Sequence, residues 1–87
     1  MSRRSRLEIY MDLMMALSDG AKSPTRLMYI TNLSWAPLQQ CLRIVIDKGL
    51  VEESRTTYRR RLYALTNTGT EIMGRYKNFL RDVVQVS

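Results

Sequence analysis

The spacing of hydrophobic and polar residues in the middle of the chain predicts two helices, over 23–31 and 34–48, separated by a tight turn. Ser23 and Pro24 are typical of a helix start, because a serine hydroxyl accepts a free backbone N–H and proline fits the first helical position. Asn32 tolerates the left-handed conformation that commonly ends a helix. In the second helix, apolar residues recur at positions i, i+3, i+4, i+7 and i+8 until a glycine follows: Leu38, Cys41, Leu42, Val45 and Ile46.

Two residues are candidates for the cap that begins the second helix. Ser34 has a hydroxyl suited to that position, and Leu33 before it is expected to anchor the turn in the core. Pro37 fits only in the first turn of a helix and disfavours the helical conformation in the residue before it. Ala36 is therefore an alternative cap, and the exact start of this helix stays open.

If the apolar stripe faces the core, the opposite face of the second helix is exposed. A rotation of about 100° per residue places four positions outward and Gln39 on their flank: Ala36, Gln40, Arg43 and Asp47. Gln and Arg make paired hydrogen bonds with purine edges in the major groove, and Ala contacts a thymine methyl group. Such residues on a lone helix would be ordinary solvent-facing side chains, but the second helix of a helix-turn-helix is typically the one that reads DNA. The candidate base contacts are Trp35, Ala36, Gln39, Gln40 and Arg43.

Two runs after the second helix, 50–53 and 61–65, alternate like short strands, with Tyr63 and Leu65 on one face. Residues 54–60 connect them without Gly, Asn or Pro, so the turn of this hairpin is poorly specified. Arginines on such a hairpin, here called the wing (50–65), suit DNA phosphates or the minor groove, although cations on edge strands also discourage aggregation. The candidate contacts in the wing are Arg55, Tyr58, Arg59, Arg60 and Arg61.

Positive charge is concentrated at two places. The 87 residues carry a formal net charge of +6, from 14 Lys and Arg against 8 Asp and Glu. Half of those 14 basic residues lie in the wing or near the start of the chain, where Arg3, Arg4 and Arg6 form a candidate arm. Two basic patches on one molecule can follow a polyanion such as DNA. They do not form the polar face of an amphipathic helix, as binding to a membrane surface would require.

The first and last helices, predicted over 4–19 and 67–86, carry apolar residues on more than one side. In the first helix, Ile9 and Leu13 lie away from the main apolar face, so this helix needs cover on both sides. In the last helix, which Thr66 is expected to cap, apolar residues follow a heptad spacing: Ile72, Tyr76, Phe79, Val83 and Val86, with Met73, Leu80 and Val84 beside them.

These two helices predict a dimer. A chain of this length buries roughly 60% of its unfolded surface on folding, so additional burial between two copies would help its stability. The alternative is that the last helix folds back onto its own domain. The candidate interface residues are Ile9, Leu13, Ile72, Tyr76, Phe79, Leu80 and Val83.

The composition argues against several kinds of chemistry. Histidine is absent and Cys41 is the only cysteine, so neither an ordinary zinc site nor an intrachain disulfide is expected. Ser-His-Asp and Cys-His catalysis are excluded for the same reason, and the four glycines form no phosphate-binding loop. We therefore expect a protein that is not an enzyme and has no metal or cofactor. The sequence shows no signal peptide or membrane span, which predicts a cytoplasmic, nucleoid-associated protein.

Five short motifs are spread over nearly the whole chain: LEIY at 7–10, TRLMY at 25–29, NLS at 32–34, KGLV at 48–51 and YALTNTG at 63–69. In this order they resemble the small archaeal winged-helix proteins, which include transcriptional regulators and chromatin-associated DNA-binding dimers. The resemblance implies a mostly α fold with a small β-hairpin (α+β), in which a winged helix-turn-helix is followed by a C-terminal helix. It also implies symmetric dimers with antiparallel C-terminal helices that bind duplex DNA through the third helix and the wing. A short C-terminal helix and the Trp35-Ala36-Pro37 opening are departures from that pattern.

The predicted function is double-stranded DNA binding by a homodimeric winged-helix transcriptional regulator. One alternative is an architectural chromatin protein with little sequence preference, and another is a winged helix that binds only proteins. RNA binding is disfavoured, because Tyr58 is the only aromatic residue beside the wing arginines. Whether a small-molecule effector acts on the protein stays open.

Overall fold

The computed structural model describes residues 5–56, 58 and 60–86. The elements in chain order are α1 (Arg6–Leu17), α2 (Pro24–Thr31), α3 (Trp35–Asp47), β1 (Val51–Arg55), β2 (Arg61–Leu65) and α4 (Asn67–Val86). Three helices followed by an antiparallel hairpin and a further helix confirm the predicted fold class.

Helices α1 and α2 begin at side-chain caps. The Ser5 hydroxyl accepts the Glu8 backbone N–H at 3.1 Å, and the Glu8 carboxylate in turn accepts the Ser5 backbone N–H at 3.5 Å. This capping box makes α1 begin two residues later than the apolar pattern predicts. The Ser23 hydroxyl caps α2 through the Arg26 backbone N–H at 3.2 Å, and Asn32 ends this helix in the left-handed conformation, with φ of 58°.

The two possible caps of α3 are resolved in favour of Ser34. Its hydroxyl makes no capping hydrogen bond, and the sequence explains why: the third helical position is Pro37, which has no N–H to donate. At the other end Lys48 is the C-cap, and Gly49 follows with a φ of +74°, which glycine adopts without strain.

The hairpin is longer and its turn shorter than predicted. Strand β1 runs to Arg55, which pairs directly with Arg61, so Arg55 lies in the ladder and not in the turn. The backbone N–H of Thr56 donates to the Arg60 carbonyl at 2.9 Å, and the Arg60 N–H donates to the Thr56 hydroxyl at 3.2 Å. These two bonds close the turn in place of the missing glycine or asparagine.

A backbone bridge ties the hairpin to the helices. Lys22, between α1 and α2, exchanges two backbone hydrogen bonds with Tyr63, each 2.9 Å long. The position of β2 relative to the helix-turn-helix is therefore fixed by main-chain contacts.

The core lies between α1, the other helices and the hairpin. Its buried apolar residues are Leu13, Met14, Leu17, Leu27, Leu38, Leu42, Val45, Val51, Tyr63 and Met73. The inward stripe of α3 is confirmed, because Leu38, Leu42 and Val45 are buried while Cys41 and Ile46 pack against them. Ile30 of α2 is exposed, whereas Leu27 and Thr31 of the same helix are buried.

Leu13 requires a correction. Its side chain is 0% exposed, so it cannot contact a second copy. The predicted dimer contact of Leu13 is therefore wrong. The physical reason is that α1 contacts α2, α3, β2 and α4, and its own domain thus covers both of the apolar sides that suggested a partner.

Helix α4 starts against the base of the wing. The Thr66 hydroxyl accepts the Gly69 backbone N–H at 3.1 Å and donates to the Gly49 carbonyl at 2.6 Å. Met73 is buried, and the Lys77 ammonium donates to the Ser18 hydroxyl at the end of α1 at 3.0 Å. In the described part of the chain, no helix is both long enough and apolar enough to cross a membrane.

Candidate nucleic-acid interface

The outer face of α3 carries the predicted base contacts. Ala36, Gln40 and Arg43 are exposed, and Gln39 is half-buried on the flank. Trp35, in the first turn, is 50% exposed, although tryptophan is usually largely buried. These side chains line one shallow groove along the helix, so the structure brings together all five residues predicted for α3.

One residue of this groove was missed by the sequence analysis. Ile44 lines it beside Gln40 and Arg43 and is 39% exposed. A signal was present, because Ile44 follows Gln40 by four residues and positions four apart share a helix face. An exposed isoleucine between polar groups adds apolar surface of the kind that contacts a thymine methyl group.

The wing lies beside α3. A cleft between them is lined by Gln39, Arg43 and Asp47 from α3 and by Glu53, Arg61 and Tyr63 from the hairpin. Arg43 of the helix and Arg61 of the wing therefore belong to the same concave surface.

The side chains on the α3-facing side of the hairpin change in character from its base to its tip. Alternate residues of a strand share a face, so the pairs on this side are Val51 with Leu65, Glu53 with Tyr63, and Arg55 with Arg61. The first pair belongs to the core and the last carries two like charges directly opposite each other. Like charges at such positions repel, so this end of the hairpin favours an anion.

Tyr63 and Glu53 form a hydrogen-bonded pair in the middle of that face. The Tyr63 hydroxyl donates to Glu53 Oε2 at 3.0 Å, and Arg61 Nε lies 3.9 Å from the same oxygen. Burial raises the pKa of Tyr63 above its ordinary value, and the hydrogen bond and negative charge of Glu53 raise it further. Glu53 was not a predicted site residue, because only the strand register shows that it faces the cleft.

Gln39 has an unusual amide. Its Nε2 atom is buried and has no hydrogen-bond partner among the described residues. Buried polar groups are nearly always paired, so this amide is an exception beside the cleft between α3 and the wing.

The remaining basic residues are distributed around this surface. Tyr58 and Arg60 are exposed and share a groove at the wing tip with Thr56. Arg6, in the first turn of α1, lines a groove with Gln40 of α3, which places one residue of the candidate arm next to the outer face of α3. Arg3, Arg4 and Arg59 lie outside the described residues.

The predicted dimer residues differ in burial and in position. Ile9 lines the groove between α1 and α3, and Tyr76 packs partly against the core. Among the described side chains of α4, the exposed apolar ones are Ile72, Phe79, Leu80, Val83 and Val84, of which Phe79 is 61% exposed.

Across the described residues, no three His, Cys, Asp or Glu side chains are grouped as metal ligands would be. Cys41 is half-buried on the inner side of α3.

The sequence model of winged helix-turn-helix domains matches residues 3–83. The chain belongs to the winged helix-turn-helix family. The winged-helix resemblance inferred from the short motifs is thus confirmed for the domain as a whole. No curated protein sequence matches this winged helix-turn-helix chain.

Solved structures of bacterial proteins share the fold. A mutant of Lactococcus lactis ZitR in its apo form has a TM-score of 0.83 at 16% identity, covering 93% of this chain and 63% of ZitR. MepR, a transcription regulator of the Staphylococcus aureus multidrug efflux pump MepA, has a TM-score of 0.83 at 14% identity, covering 90% of this chain and 60% of MepR. The Streptococcus pyogenes adhesin competence repressor AdcR has a TM-score of 0.77 at 18% identity, with coverage of 90% and 60%. This winged helix-turn-helix chain therefore spans less than two thirds of each of these proteins.

Proposed function

We propose that this winged helix-turn-helix protein binds double-stranded DNA as a homodimeric transcriptional regulator. The observation that carries the proposal is the shared cleft between α3 and the wing, in which Gln39 and Arg43 face Arg61. A helix that reads bases and a hairpin that binds phosphates must lie on one side of the molecule, and this cleft satisfies that requirement.

Helix α3 supplies the base contacts in this proposal. The major groove of DNA admits an α-helix, and Gln and Arg pair there with adenine and guanine. Gln40 and Arg43 are exposed on one face, where they make those contacts, while Trp35, Ala36 and Ile44 contact thymine methyl groups.

The wing and the chain start supply the phosphate contacts. Arg55, Arg60 and Arg61 lie on the hairpin, and Arg6 lies next to α3. Arg3, Arg4 and Arg59 are proposed to extend the same two basic patches. Contacts of this kind position the protein on the duplex without reading its sequence.

The structural neighbours support a regulatory role. MepR is named as a transcription regulator and AdcR as a repressor, and a Silicibacter pomeroyi neighbour with a TM-score of 0.80 is named as a MarR family transcriptional regulator. DNA binding would place the protein on the nucleoid.

Dimerisation through α4 completes the proposal. Ile72, Phe79, Leu80 and Val83 expose apolar side chains that a second copy would cover. A symmetric dimer presents two reading helices to successive major grooves about 34 Å apart, and its target would be a palindrome.

Selection of bound duplexes from a random pool, at two salt concentrations, tests the proposal. We expect an enriched palindrome. If a dimer neutralises about six to eight phosphates, log K falls against log salt with a slope of about −5 to −7. Strong salt dependence without an enriched sequence would indicate an architectural chromatin protein, and a slope near zero would reject DNA as the ligand.

A further inference from the structure

One carboxylate of the wing, that of Glu53, is held in place by its neighbours on β2. Glu53 Oε2 accepts the Tyr63 hydroxyl at 3.0 Å and lies 3.9 Å from Arg61 Nε. Tyr63 itself is 2% exposed and is held by two backbone bonds to Lys22. Glu53 is thus attached to a rigid anchor, while the Arg61 side chain is 45% exposed.

Glu53 compensates a repulsion in the free protein. Arg55 and Arg61 are directly opposed in the ladder, and Glu53 is the next residue along the same face. A negative charge at that position offsets the repulsion between the two guanidinium groups. A DNA phosphate offers the same compensation, but Glu53 then repels the phosphate that approaches Arg61.

We infer that Glu53 is a positioning residue that holds Arg61 in the free protein and competes with DNA phosphate for it. Its effect is to lower the affinity for duplexes of any sequence, because phosphate contacts carry no sequence information. The inference rests on the proposed DNA-binding function. It goes beyond that function by giving an acidic residue of the wing a role opposed to that of the arginines around it.

The variant Glu53→Gln tests this role with the fold retained. A glutamine carbonyl still accepts the Tyr63 hydroxyl, so the substitution removes the charge and keeps the hydrogen bond. Glu52→Gln is the matched control: it makes the same change in net charge at the next residue, on the opposite side of the strand, where Glu52 pairs with Ala64.

The expected result is tighter binding by Glu53→Gln than by Glu52→Gln to one duplex at low salt. Exposed ion pairs are weak, so the ratio of the two affinities should be about two- to fivefold. The salt slope of Glu53→Gln should also steepen by up to about 0.9. Without competition from Glu53, Arg61 neutralises a DNA phosphate fully and so releases the counterion of that phosphate. Misfolding cannot imitate this result, since a destabilised variant binds less tightly.

The substitution Arg61→Gln completes the experiment. If Glu53 acts through Arg61, the gain from Glu53→Gln disappears in the Arg61→Gln background. Equal affinities for Glu53→Gln and Glu52→Gln, weaker binding by Glu53→Gln, or a gain that persists without Arg61 would each overturn the inference. Absence of salt-sensitive duplex binding by the native protein would instead reject the proposed function, and this inference with it.

Discussion

Tyr63 connects the core to the charged face of the wing, and its ionisation should make stability depend on pH. Unfolded tyrosine ionises near its ordinary pKa of about 10, whereas burial and Glu53 raise the pKa of Tyr63 in the folded protein. A raised pKa stabilises the fold fully below about pH 10, and this stabilisation is lost as the pH rises through the raised pKa. We expect the Tm of the native protein to fall above about pH 10 more steeply than that of Tyr63→Phe.

The control for this prediction is Tyr58→Phe, because Tyr58 is exposed at the wing tip. It should keep the native alkaline profile. Near neutral pH, Tyr63→Phe should cost about 0.5–1.5 kcal/mol through the lost hydrogen bond to Glu53. Thermal unfolding across this pH range measures both effects, and identical profiles for the two variants would contradict the assignment to Tyr63.

Residues on α3 and on the wing should differ in what their loss does to DNA binding. Gln40→Ala or Arg43→Ala should cost about 1–3 kcal/mol and relax the preference at particular base pairs. Arg60→Ala should weaken binding to all duplexes alike and reduce the salt slope by about 0.9. Affinities for a panel of single-base variants of the selected duplex distinguish these outcomes. If the three variants have the same profile, α3 does not read bases.

At the scale of elements, the junction between α4 and the wing has no room for a side chain at Gly69. A Cβ on Gly69 would collide with the backbone carbonyl oxygen of Leu50, which cannot rotate away as a side chain can. Gly69→Ala should therefore destabilise the protein by about 1–3 kcal/mol, measured by urea unfolding. Gly74→Ala in the same helix meets open space and should stabilise it by about 0.5–1 kcal/mol. A Gly69→Ala protein as stable as the native one would show that the junction can relax.

The elements that the sequence predicts best are those whose ends depend on local signals. Ser23-Pro24, Asn32 and Thr66 act within a few residues of the helix they limit, and the structure has a cap or a stop at each. The inward stripe of α3 could be predicted for the same reason, because a helical period is set by the chain itself.

Elements that depend on a distant partner were predicted less well. The pattern predicts a turn over 54–60, whereas pairing with β2 extends β1 and puts Arg55 opposite Arg61, so the turn is shorter. The dimer contact that the sequence predicts for Leu13 is wrong, because the sequence does not show that α2, α3, β2 and α4 surround α1. In the candidate site, Glu53 could not be predicted for a related reason, since its role depends on Tyr63 and Arg61 of the neighbouring strand β2.

At the scale of the whole molecule, α4 extends beyond the body that supports it. Its 20 residues span about 30 Å at 1.5 Å each. Contacts with the body extend from the start of α4 to just past its middle: Met73 is buried, and Lys77, the eleventh residue, reaches Ser18. Phe79, Leu80 and Val83 follow with exposed apolar side chains. A second copy packed along these exposed residues would remove their apolar surface from water, which is the driving force for the proposed dimer.

Phe79→Glu should therefore convert the dimer into a monomer, because it places a charge in the apolar strip of α4. Asn78→Glu is the matched control, since it adds the same charge about 100° around the helix from Phe79, outside the row of exposed apolar residues. Light scattering should give twice the 10.2 kDa chain mass for the native protein and for Asn78→Glu, and the single mass for Phe79→Glu. Binding to a two-site palindrome should weaken by a factor of about 10²–10⁴ in Phe79→Glu, while binding to one half-site should change little, because the α3 and wing surfaces are retained. A Phe79→Glu protein that stays dimeric would show that the dimer interface does not include this part of α4. An equal loss of affinity for the palindrome and for the half-site would show that the substitution acts on the DNA-binding surface itself.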